Sequence, residues 1–593
     1  MTDENKKSIL DMAKKHVGDI RKKVKLEAGR ITELNSKQLS QVAKDDQAVF
    51  FQIKYGLDKR LDELTTLYGS PYFIKCKIKF EDSGKIEEAY FAKFEFIDNS
   101  IYSWITPIAS IRFENPGTVS YKLPDGRTRN VQLLSKEQYM IVDGEILFQT
   151  SESLEHPREL IYQKHFSDRK KGFMLPEIVA QMEKAQDQVI RAHYKGPFVI
   201  SGPAGSGKTT LAFHRVAFLA QSPDTSEKYP RESIMLLVQD KGAIDYFSHL
   251  LPELGINNIK ITSFNEWIME ILNIENIEFV SDYSEIEIND NTYEQEKLTL
   301  LRNNKVPEYK KSPLQSLDLF YSINLSSGNY LHFKKQKNKK VLDRFDLIFL
   351  LNSYIKKNKY IKVKGRKEKL LYSMILVDEF QNYLSEQLKF IKSMMNEETK
   401  SIIYVGDMKQ QINIGTIKEW GQIDENILDE RNIILSKVYR NTKQILTYIK
   451  ELGFSIDIPE GIKDGPAVIE EIFNNPEDQV SYVRKIIEEN EGLTIGIIAK
   501  HSHDLKKFLH LGTERENVHL VSMVKSQSLE FDIVIVVDID KHFEDSESLQ
   551  TNPDALIKER EVIQRDSLYI ALTRAMNELH IVGMVSLKEK FNY

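Results

Sequence analysis

The period of the apolar positions changes along the chain, and each change marks a new kind of element. Residues 5–35 and 46–68 carry apolar residues at helical spacing, with Leu57, Leu61, Leu64 and Tyr68 on one stripe. The polar stretch from Asn35 to Asp46 interrupts them, which predicts an antiparallel helical hairpin. From Phe73 the period falls to two. Phe73–Phe80, Glu88–Ile97, Ser110–Phe113 and Val131–Leu134 alternate, with turn residues at Asp82-Ser83-Gly84, Pro124-Asp125-Gly126 and Asp143-Gly144, so a small antiparallel β domain is expected. Short continuous apolar runs come later, at Phe198-Val199-Ile200 and at Met374-Ile375-Leu376-Val377, and read as buried strands. After the first of them, Leu211, Val216, Phe218 and Leu219 give a helix an apolar face.

Composition narrows the class. At 593 residues the chain is too long for one core, and about three or four domains are expected. The net charge of −6 excludes a polycation, so any nucleic-acid contact must come from a local patch. Residues 331–370 are such a patch, with 14 Lys and Arg against Asp343, Asp346 and Glu368, and with Phe333, Tyr354 and Tyr360 interleaved. A DNA- or RNA-binding surface and an ordinary solvated face both fit this run. The single cysteine, Cys76, excludes an internal disulfide and a cysteine-based zinc site; its alternating context makes it a strand filler. His501 and His503 lack a nearby third ligand and read as loop residues. With no apolar run of membrane length and no apolar signal core after Met1, a cytoplasmic protein without a membrane partner is expected.

The chemistry starts at residues 199–210, Val-Ile-Ser-Gly-Pro-Ala-Gly-Ser-Gly-Lys-Thr-Thr. Between a strand and a helix, Gly202, Gly205 and Gly207 let the backbone turn its N–H groups toward an anion, and Ala204, Ser206 and Thr210 complete the cradle. Lys208 supplies a point charge for the β- and γ-phosphates of ATP, and Thr209 a hydroxyl for Mg²⁺. The second buried strand ends in Asp378-Glu379, which adds a carboxylate to hold Mg²⁺ and a second to polarise an attacking water. A GTPase or kinase would satisfy these two motifs as well.

The remaining motifs separate these readings. Tyr404-Val405-Gly406-Asp407-Met408-Lys409-Gln410 resembles the third motif of superfamily 1 helicases of the UvrD/Rep group, Val438-Tyr439-Arg440-Asn441-Thr442 the fourth, Lys525 to Asp532 the fifth, and Leu568 to Ala575 the sixth. The resemblance implies two RecA-like P-loop NTPase domains of doubly wound parallel sheet, with ATP between them. It also implies that Gln410 senses the γ-phosphate, that Arg440 and Arg574 stabilise it, that Glu530 contacts the ribose, and that Gln186 reads the adenine, with Gln188 as competitor. Two guanidinium groups suit this task because each stays charged and binds oxygens bidentately.

Outside the motor the chain is similar to the HelD branch. Pro71-Tyr72-Phe73, the Tyr102–Ser110 segment around Trp104, Pro116 to Tyr121, Gln138 to Glu145, Phe213-His214-Arg215 and Leu250 to Gly255 carry this likeness, with Ser103 and Ile105 in place of the family's Asp and Arg. HelD proteins are ATPases that bind RNA polymerase and clear it from nucleic acid, so RNA polymerase core is the partner this resemblance implies. In such proteins a helical hairpin enters the polymerase secondary channel, and Asp45 and Asp46 lie near the corresponding tip, where acids could approach the catalytic Mg²⁺; two solvated turn acids are the favoured reading. The expected layout is a helical arm at 1–70, a β-rich domain at 71–150, a helical linker at 151–185, a first RecA-like domain at 186–425 with an insertion at about 270–370, and a second at 426–593. The alternative is a 3′–5′ DNA helicase or single-strand translocase in repair or phage defence. Gln527-Ser528 stands where UvrD has Lys-Gly, and Ile412 to Gly415 lack the aromatic that follows the third-motif glutamine in UvrD/Rep proteins.

Overall fold

A computed structural model describes residues 3–591 except 42–46, 97–99, 115, 124–126, 154–183, 204–205, 223, 240–255, 257–258, 281–282, 287, 289–290, 311, 364–367, 409, 436–440, 459–461, 514, 516, 528 and 544–553. The chain divides into one unit of Met1–His193, Phe213–Tyr229 and His249–Asn257, and another of Tyr194–Ala212, Pro230–Ser248 and Asn258–Tyr593. Asp45, Asp46, most of the segment read as a linker at 151–185, and the segment Leu250 to Gly255 lie outside the described residues.

In the first unit, α1 (Asp3–Gln41) and α2 (Gln47–Gly69) pair as the helical periodicity predicts. Their antiparallel sense follows from the contacts: the Arg21 guanidinium lies 4.1 Å from the Tyr68 ring centroid, and His16 meets Tyr72. Val17, Ile20, Val24 and Ile31 of α1 share a core with Leu57, Leu61, Leu64 and Leu67. The sheet beside them runs β3-β2-β1-β5-β4, with β6 also on β5, from β1 (Ile74–Phe80), β2 (Ile86–Ala92), β3 (Ile101–Ser103), β4 (Gly117–Lys122), β5 (Thr128–Val142) and β6 (Glu145–Ser153). Along β1, Ile74, Cys76 and Ile78 point into the core while Lys75, Lys77 and Lys79 face outward, the half-buried alternation of a sheet with one wet face.

Two expectations for this region need correction. The sheet is not wholly antiparallel, because β3 lies parallel to β2. Ser110–Phe113 is not a strand but the end of a 3₁₀ helix, Pro107–Phe113, with Pro at its start. The alternation misleads there because Arg112 is buried as a hydrogen-bond donor, to the carbonyls of Trp104 and Ala109, both at 3.1 Å. Asp187 of α3 (Lys184–Arg191) stands 3.6 Å from the same guanidinium and holds Arg191 at 2.9 Å. Trp104 packs edge-on against His214 at 5.7 Å, so two of the segments that carry the HelD likeness meet here.

The second unit holds two parallel sheets. The first orders its strands β14-β7-β13-β12-β8-β9. These are β7 (Phe198–Ser201), β8 (Ile234–Val238), β9 (Lys260–Ser263), β12 (Met374–Val377), β13 (Ser401–Gly406) and β14 (Asn432–Ile434), every pairing parallel. β8, β12 and β13 are buried at every residue, which is why Met374–Val377 reads as an unbroken apolar run. The second sheet runs β15-β19-β18-β16-β17, again all parallel, from β15 (Ile469–Ile472), β16 (Ile495–Ala499), β17 (Val518–Ser522), β18 (Phe531–Val536) and β19 (Ala575–Gly583).

Between β9 and β12 the chain is mainly helical, through α5 (Phe264–Ile271), α6 (Asn291–Arg302), α7 (Pro313–Asn324), α8 (Ser327–Asn338) and α9 (Arg344–Asn358), with the short parallel pair β10 (Glu278–Phe279) and β11 (Val341–Leu342). This segment shares one continuous core with the first sheet. Among the described residues no helix is long and apolar enough to cross a membrane.

Candidate nucleotide site

Strand order builds the site. The chain leaves β7 through the phosphate loop into α4 (Lys208–Gln221) and returns to the sheet at β8, three positions away, while β14 lies on the other side of β7. Such a reversal of direction opens a crevice at the carboxyl ends of the strands, and the amino end of α4 points its free N–H groups there. Because β13 lies between β7 and β12, the loops after all three strands open on the same edge of the sheet. Residues far apart in sequence therefore converge.

The loop residues fit a polyphosphate. Gly202 has φ +149°, and a side chain there would run into the Leu435 carbonyl; Gly207 has φ +83°. The buried Ser206 Oγ has no hydrogen-bond partner among the described residues, a polar atom left for a ligand. Lys208 is buried and donates to the Pro203 carbonyl at 2.9 Å. Burial depresses its ammonium below the usual lysine range and nearby Arg574 adds to this, while Glu379, Asp407 and Asp378 oppose it. Thr209 Oγ1 donates to Asp378 Oδ1 at 3.1 Å, so the two expected Mg²⁺ residues are already adjacent. Burial and the neighbouring Glu379 push the Asp378 carboxyl up to about 7, where a cation would be welcome. Thr210 follows on the first turn of α4, half-buried. Ala204 and Gly205 lie outside the described residues.

Glu379 sits in the left-handed region at φ +49°, ψ +47°, a conformation that costs a non-glycine residue about 1–3 kcal/mol. Amides hold its carboxylate: Gln381 Nε2 donates to Oε2 at 2.6 Å and Gln527 Nε2 at 3.4 Å. Gln381 turns its Oε1 to the Asp407 N–H at 3.0 Å, and Gly406, φ +153°, makes room because a side chain there would strike that same oxygen. Gln410 is buried and donates to Asp407 Oδ2 at 2.9 Å. Lys208, Asp378, Glu379, Asp407 and Gln410 are thus brought together.

From the second sheet, Arg574 stands at the end of α13 (Asp554–Thr573) and is buried. Its guanidinium donates to the Gln527 carbonyl, to Leu529 O at 3.3 Å and to Ile570 O at 3.0 Å, so here it caps the loop before β18. Asn441 donates to Thr573 O at 2.9 Å and Ala575 O at 2.6 Å, which ties the fourth motif to the sixth. Arg440 itself and the side chain of Gln186 lie outside the described residues; Gln188 is exposed on α3, and Glu530 is half-buried just before β18. His501 and His503 stack at 5.3 Å, and no cluster of metal-ligating residues occurs among the described residues.

Gln381, Asn382 and Gln527 were not singled out as site residues by the sequence. Asn382 Nδ2 donates to Gln527 Oε1 at 2.7 Å, linking the two sheets beside Glu379. Gln381 and Asn382 directly follow the paired acids, and that adjacency was the available signal.

Known proteins share part of this sequence. Residues 185–416 match the AAA domain family. The chain is similar to the ATP-dependent DNA helicase PcrA of Staphylococcus epidermidis, 23% identical over 362 residues, covering 56% of this chain and 47% of that protein. It is likewise similar to the PcrA helicase of Staphylococcus aureus, 22% identical over 366 residues with the same coverage. These likenesses support a UvrD/Rep-like, superfamily 1A helicase fold for the matched part. It spans about half the length of the curated relatives it matches.

Proposed function

We propose that this protein is an ATP-hydrolysing motor of the HelD branch that binds RNA polymerase core and drives its release from nucleic acid. What carries the hydrolytic part is Glu379 Oε2, held by two amides beside the Thr209–Asp378 pair and the buried Lys208. What supports the polymerase part is the resemblance of the N-terminal segments together with the α1–α2 hairpin that precedes the phosphate loop.

In this reading the loop N–H groups and Ser206 bind the phosphates of ATP, and Lys208 neutralises the β- and γ-oxygens. Thr209 and Asp378 would hold Mg²⁺, which when bound would supply neutralisation of phosphate charge. Glu379 orients a water and takes its proton as the water oxygen bonds to the γ-phosphorus and the bond to the ADP oxygen breaks. Gln410 reports the presence of the γ-phosphate to the loop behind it. Arg574 and Arg440 turn to the transferring phosphoryl when the sheets close, and Arg574 then leaves the carbonyls of Gln527 and Leu529. Glu530 and Gln186 hold ribose and adenine. Loss of the γ-phosphate ends these contacts and lets the sheets part, converting hydrolysis into motion.

A DNA translocase is the second reading, favoured by what the relatives' names state and by an exposed aromatic–cation surface. Lys357 lies 4.4 Å from the Tyr309 ring centroid, Tyr309 meets Tyr354 at 6.0 Å, and Lys356, Lys359 and Lys362 are exposed nearby in sequence. The two readings part in one assay: ATPase rate alone, with single-stranded DNA and with RNA polymerase core, each at two salt concentrations. Stimulation by polymerase, with co-elution, is the expected result. Strong salt-sensitive stimulation by DNA with no response to polymerase overturns it in favour of the translocase.

A further inference from the structure

The loop that leaves Gln410 is gripped by a helix of the other sheet. Asp566 on α13 accepts the Gln411 N–H at 2.8 Å, and Glu559, two turns earlier on the same face, accepts the Gly415 N–H at 3.4 Å and pairs with Lys418 at 3.2 Å. The loop's other side is tied to the strand of acids: Asn413 Nδ2 donates to Asn382 O at 3.3 Å, and Thr416 bridges Leu384. Gln411 is itself buried and closes the loop through Ile417 O at 2.6 Å. A buried backbone N–H without an acceptor is costly, so these carboxylates fix where the loop sits. α13 ends at Thr573, next to Arg574.

We infer that Asp566 is a positioning residue for ATP hydrolysis, which, with Glu559 on the rim, sets the Gln410 loop and the Arg574-bearing helix in one register so that both side chains address the same γ-phosphate.

Nothing in the sequence marks this role, since Asp566 stands 155 residues from its partner. The chemistry suits it. A carboxylate accepts a backbone N–H more strongly than a neutral group does, and a helix is stiff enough to carry a fixed spacing over the two turns between Asp566 and Arg574. Burial, with Asp407 adding, pushes the Asp566 carboxyl up to about 7 against the opposing Gln411 N–H, Arg565 and Lys418; the acid form retains a carbonyl oxygen, so the contact survives protonation. The inference rests on the ATPase reading above.

The experiment is steady-state ATPase kinetics of the full chain. Asp566→Ala is expected to lower kcat about 10-fold with the KM for ATP within about twofold, and Asp566→Asn, which keeps an acceptor, to restore kcat to within about threefold of wild type. In a Gln410→Ala background the cost of Asp566→Ala is expected to vanish, because both changes then disable the same reader. An unchanged kcat in Asp566→Ala, or full additivity with Gln410→Ala, overturns the inference and leaves the ATPase reading standing. Absence of turnover in the wild type overturns both. Should Asp566→Ala not fold, Glu559→Ala, the second carboxylate on the loop, carries the test: a fall in kcat of about threefold at constant KM is expected, and no change overturns the inference.

Discussion

Two buried lysines in the second unit teach how a site differs from a strut. Lys297, on α6, gives its ammonium to Asp343 at 2.5 Å, Asp346 at 2.9 Å and Gln336 at 3.3 Å. The carboxylates are satisfied in turn: Asp343 caps α9 through the Phe345 and Asp346 N–H groups, Tyr283 donates to Asp343, and Tyr321 and Gln336 donate to Asp346. Burial alone would depress this lysine, but the two carboxylates and Tyr293 outweigh it and hold the ammonium above its usual range. Lys208 shows the opposite balance: burial outweighs the carboxylates of Glu379, Asp407 and Asp378 and depresses it, Glu379 is strained, and among the described residues Ser206 Oγ and Asn382 Oδ1 have no hydrogen-bond partner. A charge cluster that closes on itself stabilises a helix packing; one left incomplete suits the nucleotide proposed above.

The contrast breaks most readily at Lys208. Lys208→Ala is expected to cut ATP turnover about a thousandfold while leaving the thermal midpoint within about 2 °C, because the ammonium is matched to phosphate rather than to protein. A colorimetric phosphate assay beside a melting curve reads both. Lys297→Met should do the reverse, costing about 3–5 kcal/mol in denaturant unfolding by leaving two carboxylates buried without their cation. If it lowered turnover but not stability, the strut would be part of the site.

A smaller effect sharpens the picture within the site. Glu379→Gln keeps the shape and should reduce kcat about a hundredfold while fluorescent-nucleotide affinity stays unchanged, since only the proton acceptor is lost. The smallest effect concerns pH. Asp566 holds its proton up to about 7 in the folded chain, above its value of 3.8 when unperturbed, so folding binds a proton between those limits, and stability declines as pH rises from 3.8 to about 7 and then levels off. Asp566→Asn cannot ionise; its melting midpoint should match wild type near pH 4 and exceed it by about 2 °C near pH 8. A pH-independent difference would show that Asp566 does not titrate in this range.

Two strands of the first parallel sheet, at Phe198-Val199-Ile200 and Met374–Val377, were legible because they are short buried runs of apolar residues. The hairpin stripe at Leu57, Leu61 and Leu64 was legible for a similar reason, as its period survives at the core boundary. Ser110–Phe113 misled because a buried arginine satisfied by carbonyls has the same polarity in a sequence as one pointing to water. The Lys297 cluster was unreadable too: Asp343 and Asp346 counted as minor acids in a basic run, yet both are fully buried.

The sequence by itself determined the phosphate loop, the paired acids and their spacing from apolar strands, because those functions depend on backbone conformation and local residue type. Tertiary structure decided which amides hold Glu379, that Gln527 and Asn382 meet across 145 residues, and that Asp566 grips the Gln410 loop. Such contacts follow from the order of strands in the sheets, and the register of parallel strands joined by long crossovers is set by the packing of the whole unit, which no local window of sequence contains.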